Sequence, residues 1–158
     1  MSWHASLALR YRSEADRTIV HDRHEGPLRV LASLYPEGGA VCHNVVVHPP
    51  SGIVGGDRLD IQIDAAAGAH ALLTTPGATR FYRSAGEDAV QSIHARLGAG
   101  SRLEWLPLET IAHPGCLAES RIRLELDASA EAIGWDIVAL GLPAAGQAFD
   151  QGRHLTQI

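Results

Sequence analysis

Lysine is absent from this 158-residue sequence, since all 13 of its basic residues are arginines. A Walker-type phosphate loop and a Schiff-base enzyme both need a lysine, so neither class of protein fits. The two cysteines are too few for a disulfide framework, and no CxxC or HExxH spacing offers a compact zinc site. The net charge of −5 at pH 7 argues against nucleic acid or an anionic membrane as the main partner.

Long apolar runs and helical periods are missing as well. No apolar stretch is long enough to span a bilayer, and residues 1–15 lack the continuous apolar core of a signal peptide. The composition, 46% hydrophobic and 20% charged, is that of an ordinary globular chain. A cytoplasmic protein is therefore predicted.

Short alternating segments separated by small-residue breaks fill the chain instead. Leu59, Ile61 and Ile63 alternate with polar residues, which is the period of a half-buried β-strand. When the sequence is aligned with itself at a shift of 32 residues, from Gly68 to Gly100, Ile61 falls on Ile93, Ala71 on Leu103 and Leu73 on Trp105. A further shift of about 29 residues places Ile93 on Ile122 and Leu97 on Leu126. A near-fixed period of strand, corner and strand indicates the stacked coils of a β-solenoid, although a β-sandwich with similar hairpins has the same local pattern.

Three strings carry a family resemblance. VVVHPPSGIVGGDRLDI, LLTTPGATRFYRS and LEWLPLETI occur in this order over residues 45–111, with Tyr35-Pro36-Glu37 and Gly134-Trp135-Asp136 on either side. Together they resemble the UreD-type urease accessory proteins, also called UreH. The sequence departs from the family's usual pattern at Ser51, Arg80 and Leu108, where glycine, lysine and glutamine are common.

The resemblance implies an all-β, elongated fold of stacked, β-solenoid-like sheets with little helix. We expect residues 1–158 to form a single β-rich domain that is truncated at its C-terminal side. The resemblance also implies a maturation factor that performs no catalysis itself. It would assist nickel insertion into apo-urease, as scaffold and ion passage, together with UreF and the GTPase UreG. Nickel would be in transit, with no tightly bound cofactor.

Four residues are candidates for transient nickel contact: Asp57, Glu109, Asp136 and His48. Asp57 follows two glycines at the start of a strand, where the simpler interpretation is an aspartate that caps its own turn. Asp136 lies in an otherwise apolar run, so its carboxylate must be paired, hydrogen-bonded or exposed to water. Glu109 belongs to the LEWLPLET motif, and the turn after His48 fixes the direction of that imidazole. Scattered oxygen donors suit a protein that must release the ion.

A second candidate site is the segment Phe81, Tyr82 and Arg83, which combines two aromatic residues with an arginine after a fixed turn. This composition is favoured at protein interfaces and predicts a contact with a partner. A buried aromatic pair beside an exposed arginine is the simpler alternative.

Two other functions remain open at this point. A β-rich hydrolase would use Asp57, Glu109 and Asp136 as acid and base groups, because two carboxylates at a suitable separation can catalyse hydrolysis. A β-solenoid that binds a partner without any role for metal is the third possibility.

Overall fold

The computed structural model describes residues 2–158 and shows fourteen strands in that range. In chain order they are β1 His4–Glu14, β2 Arg17–Glu25, β3 Arg29–Val30, β4 Val41–Val47, β5 Arg58–Ala65, β6 His70–Thr74, β7 Thr79–Phe81, β8 Ala89–Leu97, β9 Arg102–Trp105, β10 Thr110–Ala112, β11 Leu117–Leu126, β12 Glu131–Gly134, β13 Val138–Leu140 and β14 Arg153–Gln157. One 3₁₀ turn, Pro143–Ala145, interrupts the last connection. Within residues 2–158 no helix has the length and hydropathy needed to cross a membrane.

The strands form three sheets around one core. Sheet 1 has six strands in the order β14-β11-β8-β5-β1-β2, sheet 2 has five in the order β12-β9-β6-β4-β3, and sheet 3 has three in the order β13-β10-β7. Coil 2 (β5, β6, β7), coil 3 (β8, β9, β10) and coil 4 (β11, β12, β13) each give one parallel strand to each sheet. Coil 1 consists of β1, β4 and Ile53, which bridges to Phe81. The predicted β-solenoid-like fold is confirmed.

The internal repeat is the stacking register of these coils. Ile61 lies beside Ile93, Ala71 beside Leu103 and Leu73 beside Trp105, as the shift of 32 predicts. Ile93 lies beside Ile122 and Leu97 beside Leu126, as the shift of 29 predicts. The inward members of these pairs form the core, in which Leu59, Ile63, Leu73 and Leu103 are all buried.

The two ends of the solenoid differ. Strand β2 pairs with β1 in an antiparallel hairpin, and its outer residues His21–Glu25 are charged or polar and exposed, which discourages pairing with another chain. Inside this end, the buried Tyr11 hydroxyl donates a hydrogen bond of 2.9 Å to Asn44 Oδ1. Burial raises the pKa of Tyr11 well above its ordinary value, so the hydroxyl stays protonated as a donor.

At the other end, β14 covers only the first half of β11, because their pairing stops at Arg121. The inward residues beyond it, Leu124 and Leu126, are exposed, and so are Leu140 and Leu155. Within residues 2–158, no strand beyond β14 pairs with the second half of β11.

One histidine–carboxylate pair spans each joint between coils. His4 Nε2 lies 3.0 Å from Asp60 Oδ2, across coils 1 and 2. His70 Nε2 lies 2.7 Å from Glu104 Oε1 across coils 2 and 3, and His94 Nε2 lies 3.1 Å from Glu125 Oε1 across coils 3 and 4. All three pairs lie on the outer faces, where such an ion pair contributes at most about 1 kcal/mol. Their contribution to the stability of the fold is small, and their main effect is to favour the observed register between strands of adjacent coils.

Two glycines of the GIVGGD string are required by close contacts. A Cβ on Gly52 would lie 2.1 Å from the Tyr82 ring, and one on Gly55 would lie 2.2 Å from Ser84 Oγ and 2.6 Å from the Glu87 carbonyl oxygen. The neighbouring Gly56 has a φ of +90°, which side chains rarely adopt. The loop that follows β7 therefore packs directly on the backbone of coil 1.

We predict that Gly55→Ala destabilises the protein by about 2 kcal/mol or more, because the Glu87 carbonyl is backbone and cannot rotate away. For a chain of this size the melting temperature should fall by roughly 4–8 °C. Gly77→Ala is the matched control, since a Cβ there meets nothing within 4 Å. Equal melting temperatures for the two variants, measured by circular dichroism, would contradict the packing argument.

Candidate functional site

The motifs of the sequence stack along one edge of the solenoid, which we call the corner ridge. It consists of the connections from sheet 2 to sheet 3 in the four coils: residues 48–52, 75–78, 106–109 and 135–137. The HPPSG, TTPGA, LPLE and WD strings are thus successive turns of the same corner. His48, Glu109 and Asp136, which are far apart in sequence, all lie on this ridge.

Side chains link the turns of the corner ridge to one another. Thr74 Oγ1 donates a hydrogen bond of 2.7 Å to the Leu106 carbonyl, and Thr75 Oγ1 accepts one of 3.0 Å from the Leu108 amide. In the next turn, the Trp135 indole nitrogen donates a hydrogen bond of 2.9 Å to the Pro107 carbonyl. These bonds connect coils 2, 3 and 4, so the ridge is a fixed scaffold.

A cavity of about 280 Å³ lies behind the corner ridge, inside the solenoid. Aliphatic side chains, among them Leu59, Ile61, Ile93 and Ile122, form much of its wall. Its polar lining consists of His48, Ser51, Thr75, Thr79, Arg80, Gln91, Thr110, Ser120 and Asp136. Ser120 is only 3% exposed, and its hydroxyl has no hydrogen-bond partner among residues 2–158. The cavity therefore presents free polar atoms to whatever enters it.

His48 lies in the first turn of the corner ridge, at the cavity wall. Its Nε2 is buried and has no hydrogen-bond partner in the described part of the chain. Burial lowers the pKa of His48, and the negative charge of Asp57 partly opposes this effect. The imidazole is consequently neutral at pH 7, the form that offers a lone pair to a metal ion.

Asp57 is 1% exposed and lies in the turn before β5. Its Oδ1 accepts a hydrogen bond of 2.7 Å from the Trp3 amide, and its Oδ2 accepts one of 2.9 Å from the Val54 amide. Both carboxylate oxygens thus accept hydrogen bonds from backbone amides, and the residue does not line the cavity. This geometry agrees with the simpler interpretation of Asp57 as a turn aspartate, with its charge acting on His48 from a distance.

Asp136 and Glu109 differ in their surroundings. Asp136 lies between β12 and β13, off any strand; it lines the cavity, and its Oδ2 accepts a hydrogen bond of 3.2 Å from the Thr156 hydroxyl. Glu109 is exposed, and its carbonyl accepts a hydrogen bond from the Thr79 amide. Of the four candidate nickel contacts, the structure brings only His48 and Asp136 to the cavity.

The predicted partner segment divides in a similar way. Phe81 is 0% exposed and belongs to the core, so it cannot contact a partner directly. Tyr82 and Arg83 are exposed, and the Tyr82 ring stacks on that of His113 with a centroid distance of 4.7 Å. Tyr82 and Arg83 therefore stay as the predicted partner contacts, and Phe81 anchors them.

Within residues 2–158 no three His, Cys, Asp or Glu side chains are grouped so as to hold a metal ion. The site thus offers separated single donors around a cavity. Ser120 and His154, both with a buried polar atom lacking a partner, were not predicted from the sequence. Both side chains face inward because of the register in which β11 and β14 pair. The sequence pattern alone did not reveal this register.

The lowered pKa values of His48 and His154 make stability depend on pH. In the unfolded chain both imidazoles bind protons below about pH 6.5, whereas in the folded protein they do so only at lower pH. The free energy of unfolding should therefore fall as the pH drops from about 7.5 to 5.5. Glu119 and Glu125 also have lowered pKa values, but their contributions are lost only below the ordinary glutamate pKa of 4.5.

Urea unfolding at several pH values tests this expectation. The double variant His48→Gln, His154→Gln should show a shallower loss of stability on acidification than the unmodified protein. His21→Gln, which changes an exposed residue of β2, serves as the control and should leave the pH dependence unchanged. An identical pH dependence in the double variant would show that the two buried imidazoles titrate normally.

Comparison with known proteins assigns the chain to a family. The family model described as UreD urease accessory protein matches residues 4–158. The chain is 61% identical to the urease accessory protein UreD of Leptothrix cholodnii and 62% identical to that of Polaromonas sp. strain JS666, over its whole length. It spans 58% and 57% of those two relatives, so it corresponds to somewhat more than half of their length. On this match the chain belongs to the UreD urease accessory protein family.

Proposed function

We propose that this protein assists nickel insertion into apo-urease, as scaffold and ion passage, in a cytoplasmic complex with UreF and the GTPase UreG. Membership of the UreD family supports the accessory role. The observation that carries the passage is the internal cavity, with His48 in its first coil and Asp136 in its last. The protein itself carries out no chemical conversion in this proposal, and nickel is its cargo.

The donors around the cavity suit a cation that must pass through. A neutral imidazole and a carboxylate are both acceptable ligands for Ni²⁺, which is borderline in character. His48 and Asp136 belong to different coils, so the ion meets one of these donors at a time. A closed metal site would instead hold the ion with four donors. The volume of about 280 Å³ is sufficient for several water molecules, each of which occupies roughly 30 Å³ in the liquid. A nickel ion can therefore keep part of its hydration shell and be released.

The aliphatic wall has a separate role in this proposal. Ile61, Ile93 and Ile122 stack in register and close one side of the cavity with side chains that offer no ligand. An ion in the cavity thus meets protein donors only at the polar positions. This arrangement confines the route and keeps binding weak along it.

The geometry gives less support to a hydrolase. Asp57 has both oxygens engaged by backbone amides, and Glu109 is exposed on the corner ridge. Of the three carboxylates only Asp136 lines the cavity, so the paired acid and base that hydrolysis requires do not face a common space. A binding module without a metal role differs from our proposal in one measurable respect, the nickel content of urease.

We predict that Asp136→Asn in the full-length protein lowers the nickel loaded per urease active site. Asparagine keeps the size and one hydrogen-bond acceptor but removes the charge that attracts Ni²⁺. A loss of about 1.4 kcal/mol at this contact corresponds to roughly tenfold weaker binding. The measurement is metal analysis of urease co-expressed with the variant, together with soluble yield and retention of UreF and UreG.

Asp127→Asn is the matched control, because Asp127 is exposed in a corner on another edge of the solenoid. The control should load nickel normally. Normal loading with Asp136→Asn, in a complex that assembles fully, would eliminate the passage and leave only the scaffold role.

The scaffold role predicts a partner contact at the exposed part of the 81–83 segment. Arg83 is exposed and packs beside the backbone of Gly115, so its position is fixed by coil 3. We expect Arg83→Glu to reduce co-purification of UreF with the full-length protein without lowering its melting temperature. Arg12→Glu, on the exposed side of β1, is the control for a change of two charge units. Equal retention of UreF by both variants would exclude this surface from the interface.

A further inference from the structure

His154 lies on the inner face of the last strand, although no sequence motif marks it. In the parallel pairing of β14 with β11, His154 is the neighbour of Ala118, which is 1% exposed and faces the core. Thr156, two residues further on, is the neighbour of the buried Ser120. Since side chains two residues apart in a strand share a face, His154 and Thr156 both point into the solenoid.

The carboxylate of Asp136 lies against this pair of residues. Its Oδ2 is 3.2 Å from the Thr156 hydroxyl, and alternate strand positions are only about 6.8 Å apart. The Asp136 charge acts on His154 and favours the protonated imidazole, whereas burial has the larger effect and lowers the pKa of His154.

The His154 ring is held in place but its Nε2 is not engaged. The ring packs edge-on against Phe81 with a centroid distance of 5.7 Å and an interplanar angle of 68°. Its Nε2 is buried, with no hydrogen-bond partner among residues 2–158. A buried nitrogen left without a partner costs about 1–3 kcal/mol, so a histidine with only a packing role would be expected to find one.

We propose that His154 and Asp136 together form a two-donor contact for a divalent cation beside the coil 4 end of the cavity, which Asp136 lines. The inference rests on the proposed passage and extends it, because His48 supplies an imidazole donor in coil 1 and this pair would supply a contact at the coil 4 end. One imidazole nitrogen and one carboxylate oxygen suit a borderline ion such as Ni²⁺. Two donors that each lie about 2.0–2.2 Å from the same ion are roughly 3 Å from each other. Side chains at neighbouring inward positions can reach that separation.

The two-donor composition is consistent with transfer. Water must complete the coordination of an ion held by two protein ligands, so such an ion exchanges more readily than one in a four-ligand site. Thr156 orients the carboxylate through its hydroxyl and is a positioning residue, not a ligand.

The test is a titration of the full-length protein, in complex with its partners, with Ni²⁺ alone, followed by calorimetry or by competition with a chelating dye. We expect His154→Gln, His154→Phe and Asp136→Asn each to weaken nickel binding by roughly tenfold, the loss of one ligand. The double variant His154→Gln, Asp136→Asn should lose less than the product of the two single effects, because both residues would contact the same ion. His113→Gln is the matched control, since His113 also has a buried Nε2 without a partner among residues 2–158.

A folded His154 variant with unchanged nickel affinity would overturn the proposal. The unmodified protein supplies a readout that needs no variant: bound Ni²⁺ should broaden the ring signals of Phe81, and sharp signals at saturation would also overturn it. If Asp136→Asn lowers urease loading but His154→Gln does not change nickel affinity, this contact is wrong and the passage stands. If the His154 variants weaken nickel binding while urease loads normally, the contact stands and the passage is wrong.

Discussion

Parallel stacking of coils in fixed register is the constraint on which the rest of this structure depends. Each inward side chain must lie on the inward side chain of the previous coil, so a residue's environment is set by positions 28 to 54 residues away along the chain. The hydrogen bonds of three sheets enforce this register together. A change of side-chain size or polarity in one coil therefore affects mainly the inward residues that stack on it in the adjacent coils.

Two adjacent inward columns of sheet 1 show what the register permits. One column runs Leu7, Ile61, Ile93, Ile122 and is aliphatic throughout. The column beside it runs Ala5, Leu59, Gln91, Ser120, Thr156 and changes from apolar to polar along the solenoid. Gln91 and Ser120 of this column line the same cavity as Asp136. This column is thus apolar in coil 1 and polar towards coil 4.

Much of the architecture could be predicted from the sequence because the register is itself a sequence period. The shifts of 32 and 29 are the actual pairings of β5 with β8 and of β8 with β11. The separate strand β2 was not predicted, because its exposed charged residues carry no alternating apolar signal; it forms through the backbone pairing of the hairpin.

The candidate site was less predictable, for a reason of geometry. Asp57 and Asp136 both read as carboxylates next to apolar strands, yet Asp57 binds the amide of Trp3, 54 residues away, while Asp136 faces the cavity. Which way a corner residue points depends on the turn and on the coil stacked beside it, and neither is encoded in local alternation. Ser120 was missed because a polar residue at an inward position interrupts the apolar alternation of β11, and His154 because the five residues of β14 carry no apolar alternation.

The polar column is costly for a protein whose stability comes from stacking. Its neighbour shows that aliphatic side chains fit this interior, and a buried hydroxyl or imidazole without a partner costs about 1–3 kcal/mol. The buried Ser120 hydroxyl and His48 Nε2 have no partner in residues 2–158, and both line the cavity. Local rules of burial tend to be broken where a protein has a function to perform. A solenoid that served only as a rigid spacer would gain stability from a continuous aliphatic column, so these polar positions are the strongest physical argument that the interior itself is used.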